Sequence, residues 1–169
     1  MYRKVLVPID GSKPADKALD HATDLVKSIS VSSDSKTELT ILYVIPDLPV
    51  PLGFEKPMRS FKTGKVISFS DFIKEMHESM RLSGEKMLSE RKKKYESNTN
   101  NVTIRAEVIV GHGLSISNTI IEFADKEKID LIVIGNIGLS GISKVKALGS
   151  VSRAIAEVCL SCFGCAFLK

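Results

Sequence analysis

The chain has no tryptophan, three cysteines and three histidines, and aromatic residues fill only 6% of its 169 positions. A core so poor in rings must be built from Val, Ile, Leu, Met and Ala. Cys159, Cys162 and Cys165 follow a C-x2-C-x2-C spacing, but a four-thiolate cluster needs a fourth cysteine and the chain has none. Buried or free thiols are the expectation there. His21 and His77 fall in expected helices without the spacing of a metalloprotease site, and His112 sits between two glycines at a strand end. Structural or exposed roles are expected for all three.

Long hydrophobic runs are lacking too. No stretch approaches the roughly 20 apolar residues needed to cross a bilayer. No signal peptide is visible, since Met1-Tyr2-Arg3-Lys4-Val5 leads straight into a strand. The expectation is a cytoplasmic protein without a membrane partner. Neither charge dominates. A net charge of +4 is mild, and a nucleic-acid binder concentrates more basic charge on one face, so no nucleic-acid partner is expected. The densest basic run, Arg91-Lys92-Lys93-Lys94, reads as a solvated helix end favoured by the macrodipole.

Several catalytic signatures are missing. Thr63-Gly64-Lys65 has neither the upstream glycine spacing of a phosphate-binding P-loop nor a Ser or Thr after the lysine. There is no G-x-S-x-G nucleophile elbow. Gly111-His112-Gly113 supplies half of a dinucleotide fingerprint, with Ile116 where its last small residue would stand.

What is present is alternation of strand and helix patterns. Val5 to Ile9 is a short apolar run closed by Asp10-Gly11-Ser12, and Lys13 to Ile29 repeats apolar residues at helical spacing, with Pro14 in its first turn. Leu39 to Ile45 is a second strand. Pro46 to Phe69 is Pro-rich and lacks periodicity. A long helix follows, Ser70 to Glu96, with Ile73, Met76, Met80 and Met87 near one face and Gly84 interrupting it. Val102 to Val110 is a third strand, Leu114 to Lys126 a helix, Leu131 to Ile134 a fourth and very apolar strand, Gly149 to Leu160 a helix and Phe163 to Leu168 a fifth strand. This order implies one α/β domain over residues 1–169, an open doubly wound parallel sheet of Rossmann or flavodoxin-like type with helices on both faces.

In such a sheet a ligand sits beyond the carboxyl ends of the strands, where strand order reverses. The turns after the first and fourth strands meet there. They hold Asp10-Gly11-Ser12 and Gly135-Asn136-Ile137-Gly138, and Gly149-Ser150 opens the next helix. Glycines let backbone N–H groups converge on a phosphate, and a helix N-terminus adds partial positive charge. The Ser150 and Ser152 hydroxyls are further donors, with Lys144, Lys146 and Arg153 nearby. The same residues are equally those of ordinary turns and a helix cap.

The opening Val5-Leu6-Val7-Pro8-Ile9-Asp10-Gly11-Ser12 resembles that of universal stress proteins. So does Leu131 to Ile142 followed by Leu148-Gly149-Ser150-Val151-Ser152. The resemblance runs over nearly the whole chain. It implies five parallel strands in the order 3-2-1-4-5, a homodimer formed through the last strand, and an adenine nucleotide, ATP or AMP, bound by a motif written G-x2-G-x9-G-(S/T). By position, Gly135, Gly138, Gly149 and Ser150 would hold the phosphates and Val151 and Ser152 would extend their turn. Asp10, with Pro8 shaping its turn, would face the ribose. Val44 would offer backbone hydrogen bonds to adenine and Ile134 would line the base pocket. Mg2+ or Mn2+ can accompany the phosphates. The implied role is a nucleotide-dependent switch or binding module in the stress response, read by an unknown protein partner, with at most slow ATP hydrolysis.

Two features depart from the family pattern. Ten residues, 139 to 148, separate Gly138 from Gly149, where the motif has nine. That spacing leaves open the alternative of a nucleotide-free dimeric interaction protein of the same fold. The last strand, Cys162-Phe163-Gly164-Cys165-Ala166-Phe167-Leu168, replaces a Pro-Val-rich one, and Gly164 can weaken its pairing. In the Pro-rich segment, Lys56, Arg59, Lys62 and Lys65 stud either a lid over the nucleotide or a solvated insertion.

Overall fold

In a computed structural model, residues 2–32, 36–48, 53, 56–96, 101–111, 113, 115–136, 148–162 and 164–168 are described. The main sheet holds β1 (Lys4–Pro8), β2 (Thr37–Ile45), β5 (Val102–Val110), β6 (Leu131–Gly135) and β7 (Gly164–Leu168). Its order is β5-β2-β1-β6-β7, and every pairing is parallel. Counting these strands along the chain, that is the 3-2-1-4-5 order implied by the sequence.

Strand alternation sorts the core into two layers. Val5, Val7, Ile9, Leu39, Ile41, Leu131 and Val133 pack with α1 (Lys13–Ser32) and with Leu88 and Tyr95 of α2 (Phe69–Glu96). Leu6, Leu42, Val44, Ile132 and Ile134 face α3 (Ile116–Glu127) and α4 (Ser150–Cys162). The period of two along a strand sends successive side chains to opposite faces, and helices cover both.

Local chemistry starts and stops the helices. Ser12 caps α1, its hydroxyl oxygen accepting the Ala15 N–H at 3.3 Å. Ser68 caps α2 by accepting the Asp71 N–H at 3.0 Å and donating its hydroxyl to the Asp71 carboxylate at 2.7 Å. Ser115 caps α3, two residues later than apolar spacing suggests, and Lys128 ends it in the left-handed region at φ 56°.

Two expectations are corrected. The Pro-rich segment is not irregular throughout: Met58–Arg59 (β3) and Val66–Ile67 (β4) form an antiparallel hairpin. Ser60 builds its turn by accepting the Lys62 and Thr63 N–H groups, and it fastens the turn to α2 by donating to Glu75 at 2.8 Å. Lys62 pairs with Glu78 and Phe61 meets Phe72 edge to face at 5.7 Å. The hairpin is thus docked on the first turns of α2. Second, the buried line of α2 runs through Ile73, Gly84, Leu88 and Tyr95, not through Met76 and Met80, which are half-buried.

The basic run at 91–94 clasps α2 to α1. Arg91 pairs with Asp16 at 2.7 Å, and Lys94 and the Tyr95 hydroxyl both donate to Asp20. Burial raises the Asp20 carboxyl, but the Tyr95 and Lys94 donors outweigh it and hold the group below its ordinary value. Stability from this clasp is therefore complete above the unfolded carboxylate pKa of about 3.9 and is lost as pH falls through the lower folded value. In Asp20→Asn, the urea midpoint should fall less steeply than in the wild type on acidification from about pH 4 to about pH 2. Equal slopes would contradict this assignment.

Gly135 ends β6 where the first turn of α1 crosses it. A Cβ there would lie 2.8 Å from the Pro14 carbonyl carbon and 3.0 Å from the Ala15 nitrogen. Both are backbone atoms that cannot swing aside. Gly135→Ala is expected to cost about 1–3 kcal/mol in urea denaturation, whether or not a ligand is present.

Candidate functional site

Strand order reverses between β1 and β6, which pair through Val5 with Leu131 and Leu6 with Ile132. The chain leaves both strands at the same end, so the turn after β1 and the end of β6 form two walls of one crevice.

The first wall is the Asp10-Gly11-Ser12 turn. The Asp10 carboxylate accepts the Ser12 N–H at 2.9 Å, an Asx turn, and Gly11 takes φ +84°, which disfavours any residue with a Cβ. Ile9 ties the turn to β2 by donating its N–H to the Leu42 carbonyl at 2.8 Å. Asp10 therefore has a structural task that motif reading did not foresee: it holds the turn on which it stands.

The second wall joins β6 to α4. The Gly149 N–H donates to the Asn136 carbonyl at 2.7 Å, and the Gly149 carbonyl accepts the Arg153 N–H at 2.9 Å. Gly149 is thus the residue from which α4 starts. Ser152, 3% exposed, donates its hydroxyl to the Gly135 carbonyl at 2.7 Å. The Ser152 hydroxyl, singled out from sequence as a further donor, is thus engaged within the protein. Ser150 is exposed at the helix mouth.

Between these walls lies a cavity of about 470 Å³. Pro8, Asp10, Val44, Ile134, Gly135, Gly149, Ser150, Val151 and Ser152, all singled out from sequence, line it. Gly138 lies outside the described residues, as do His112, Lys144 and Lys146. Ile9, Ser12, Ala15, Leu42, Tyr43, Ile116 and Ile120 also line the cavity. Leu42 was legible as the strand partner of Val44 two positions on, and Ile116 and Ile120 as neighbours one helical turn apart. Tyr43 had no such signal, because strand alternation assigns it to the opposite layer.

Chemically the lining is of two kinds. Leu42, Val44, Ile116, Ile120, Ile134 and Val151 give it apolar surface suited to a flat, uncharged group. Asp10, Ser12, Gly149 and Ser150 are its polar part, and the first turn of α4 has backbone N–H groups with no carbonyl four residues earlier in the helix. Among the described lining residues Asp10 is the only one with a formal charge. The described residues of the hairpin contribute nothing to the lining. Its Lys62 is held by Glu78, on α2, so of the two readings of Lys56, Arg59, Lys62 and Lys65, lid or solvated insertion, this pairing fits the second. No group of three or more His, Cys, Asp or Glu among the described residues could hold a metal ion, and no described helix is long and apolar enough to cross a membrane.

Comparison with known proteins matches this geometry to one family. The universal stress protein family model aligns with residues 1–60 and 68–159, leaving out the hairpin turn. The universal stress protein YxiE of Bacillus subtilis is 32% identical over 158 residues, covering 94% of each chain. Among solved structures, the universal stress protein UspA from Lactobacillus plantarum superposes with a TM-score of 0.77 at 20% identity, covering 99% of this chain and 98% of its own. A universal stress protein in complex with cAMP superposes with a TM-score of 0.60 at 21% identity, covering 99% and 96%. With the family model spanning most of its length and the strand order to match, this chain belongs to the universal stress protein family.

Proposed function

We propose that the chain binds an adenine nucleotide, ATP or AMP, in the crevice between β1 and β6 and acts as a nucleotide-dependent switch or binding module of the stress response. The observation that carries this reading is the mixed lining of the cavity: apolar side chains of Leu42, Val44, Ile116, Ile120 and Ile134 together with Asp10 and, at the start of α4, Gly149 and Ser150. A purine fits the apolar side chains. An anion fits the start of α4, where backbone dipoles supply the charge complement. On this reading the Val44 backbone would orient the base and the Asp10 carboxylate the ribose, and both residues line the cavity. Gly138 would complete the phosphate loop, and Mg2+ or Mn2+ would ride on the phosphate oxygens. The structural relative bound to cAMP supports an adenine nucleotide of some form and adds that ligand to those worth testing.

On this reading hydrolysis is slow, because among the described lining residues none is placed as a strong base: Asp10 is tied to the Ser12 N–H. The proposal includes a homodimer along β7, which is an edge strand of the sheet, and a protein partner that reads the liganded state.

Gly149 separates site from scaffold better than Gly135, since Gly135 packs on α1. Gly149→Val is expected to weaken ATP and AMP binding by more than about tenfold in calorimetry, through bulk at the start of α4. Its urea midpoint should change far less than that of Gly135→Ala. Mass analysis of small molecules released from purified, denatured wild type should find ATP or AMP. No released nucleotide, together with no binding at millimolar ATP, would turn the reading to a nucleotide-free interaction protein.

A further inference from the structure

Gly84 stands inside α2, where glycine is less favourable than alanine by about 1 kcal/mol. It is nevertheless one of the helix's buried residues. The reason is Tyr43. A Cβ on Gly84 would lie 2.5 Å from Tyr43 Cδ1 and 2.8 Å from Cε1, so the phenol ring rests directly on a bare helical turn. Tyr43 is also a lining residue of the cavity.

Neither partner is free to step back. Beyond Gly84 along α2, Leu88 is 2% exposed in the core, and Arg91 and Lys94 hold Asp16 and Asp20 of α1. The Met87 sulfur approaches Gly11 so closely that a Cβ there would be 3.3 Å from it. Before Gly84, Glu75 accepts the Ser60 hydroxyl of the hairpin. On the other side, β2 is fixed in register with β5, Tyr43 opposite Val108. With helix and strand both anchored, the ring is what must yield to added bulk, and Tyr43 is itself part of the cavity lining.

We propose that Gly84 is a positioning residue for the cavity: its bare turn holds the Tyr43 ring back, and a side chain at position 84 drives the ring into the ligand space. The affinity readout rests on the nucleotide reading above; the ring contact does not. The test uses the full chain with 13C-labelled tyrosine, whose three residues, Tyr2, Tyr43 and Tyr95, are assigned by Tyr→Phe replacement. Gly84→Ala should move the Tyr43 ring signals and leave those of Tyr2 unmoved; a stationary Tyr43 overturns the proposal. Calorimetry with ATP, AMP and cAMP should show Gly84→Ala weakened at least about tenfold. The double variant Gly84→Ala with Tyr43→Ala should recover to within about threefold of Tyr43→Ala alone. Unchanged affinity in Gly84→Ala, or no recovery in the double variant, overturns it. Should Gly84→Ala fail to fold, the double variant should fold, and its failure likewise overturns it. If the wild type binds none of the three nucleotides, the functional reading falls, while a displaced Tyr43 signal still supports the ring contact.

Discussion

Everything at the carboxyl end of the sheet depends on one close approach, that of the first turn of α1 to the last residue of β6. Gly135 permits it by having no side chain, since a Cβ would stand within 3.0 Å of the Pro14 and Ala15 backbone. Ser12, the cap of α1, then lines one cavity with the start of α4, and the Gly135 carbonyl accepts the Ser152 hydroxyl. A larger residue would part the two walls, and the crevice would lose its shape before any ligand entered.

The second layer of support is α2. Most of its length is exposed, and its hold on the body is a narrow buried line reinforced by ion pairs to Asp16 and Asp20. Surface pairs of this kind contribute little individually. Their effect here is geometric, setting the helix at a fixed height over β2 so that Gly84 meets Tyr43 and Met87 meets Gly11. The hairpin at 58–67 adds a third fastening, and its Lys62 pairs with Glu78. The family model leaves residues 61–67 of this hairpin unmatched, as it does 160–169.

Much of the site was readable before any fold was known, because its residues advertise themselves. A positive φ after a strand calls for glycine, as at Gly11, and a helix start calls for a cap, as at Ser12. Apolar alternation placed Val44 and Ile134 on one layer. Roles were less legible than positions. Gly135 reads as a phosphate loop residue and also makes room for α1, and Ser152 reads as a further donor and also holds the Gly135 carbonyl. Gly84 looked like a flaw in a helix, since nothing local says that a ring forty-one residues earlier will lie on it.

By itself the amino-acid order determined the elements, their succession, the parallel sheet and the address of the crevice, because hydrophobic period and turn chemistry act within a few residues. Tertiary structure alone decided which glycines face a neighbouring helix and which face the cavity. It also decided which hydroxyls are already spent, and that the Pro-rich segment folds into a hairpin on α2. Those outcomes turn on contacts of an ångström or two between segments far apart in the chain, and such distances leave no trace in local pattern.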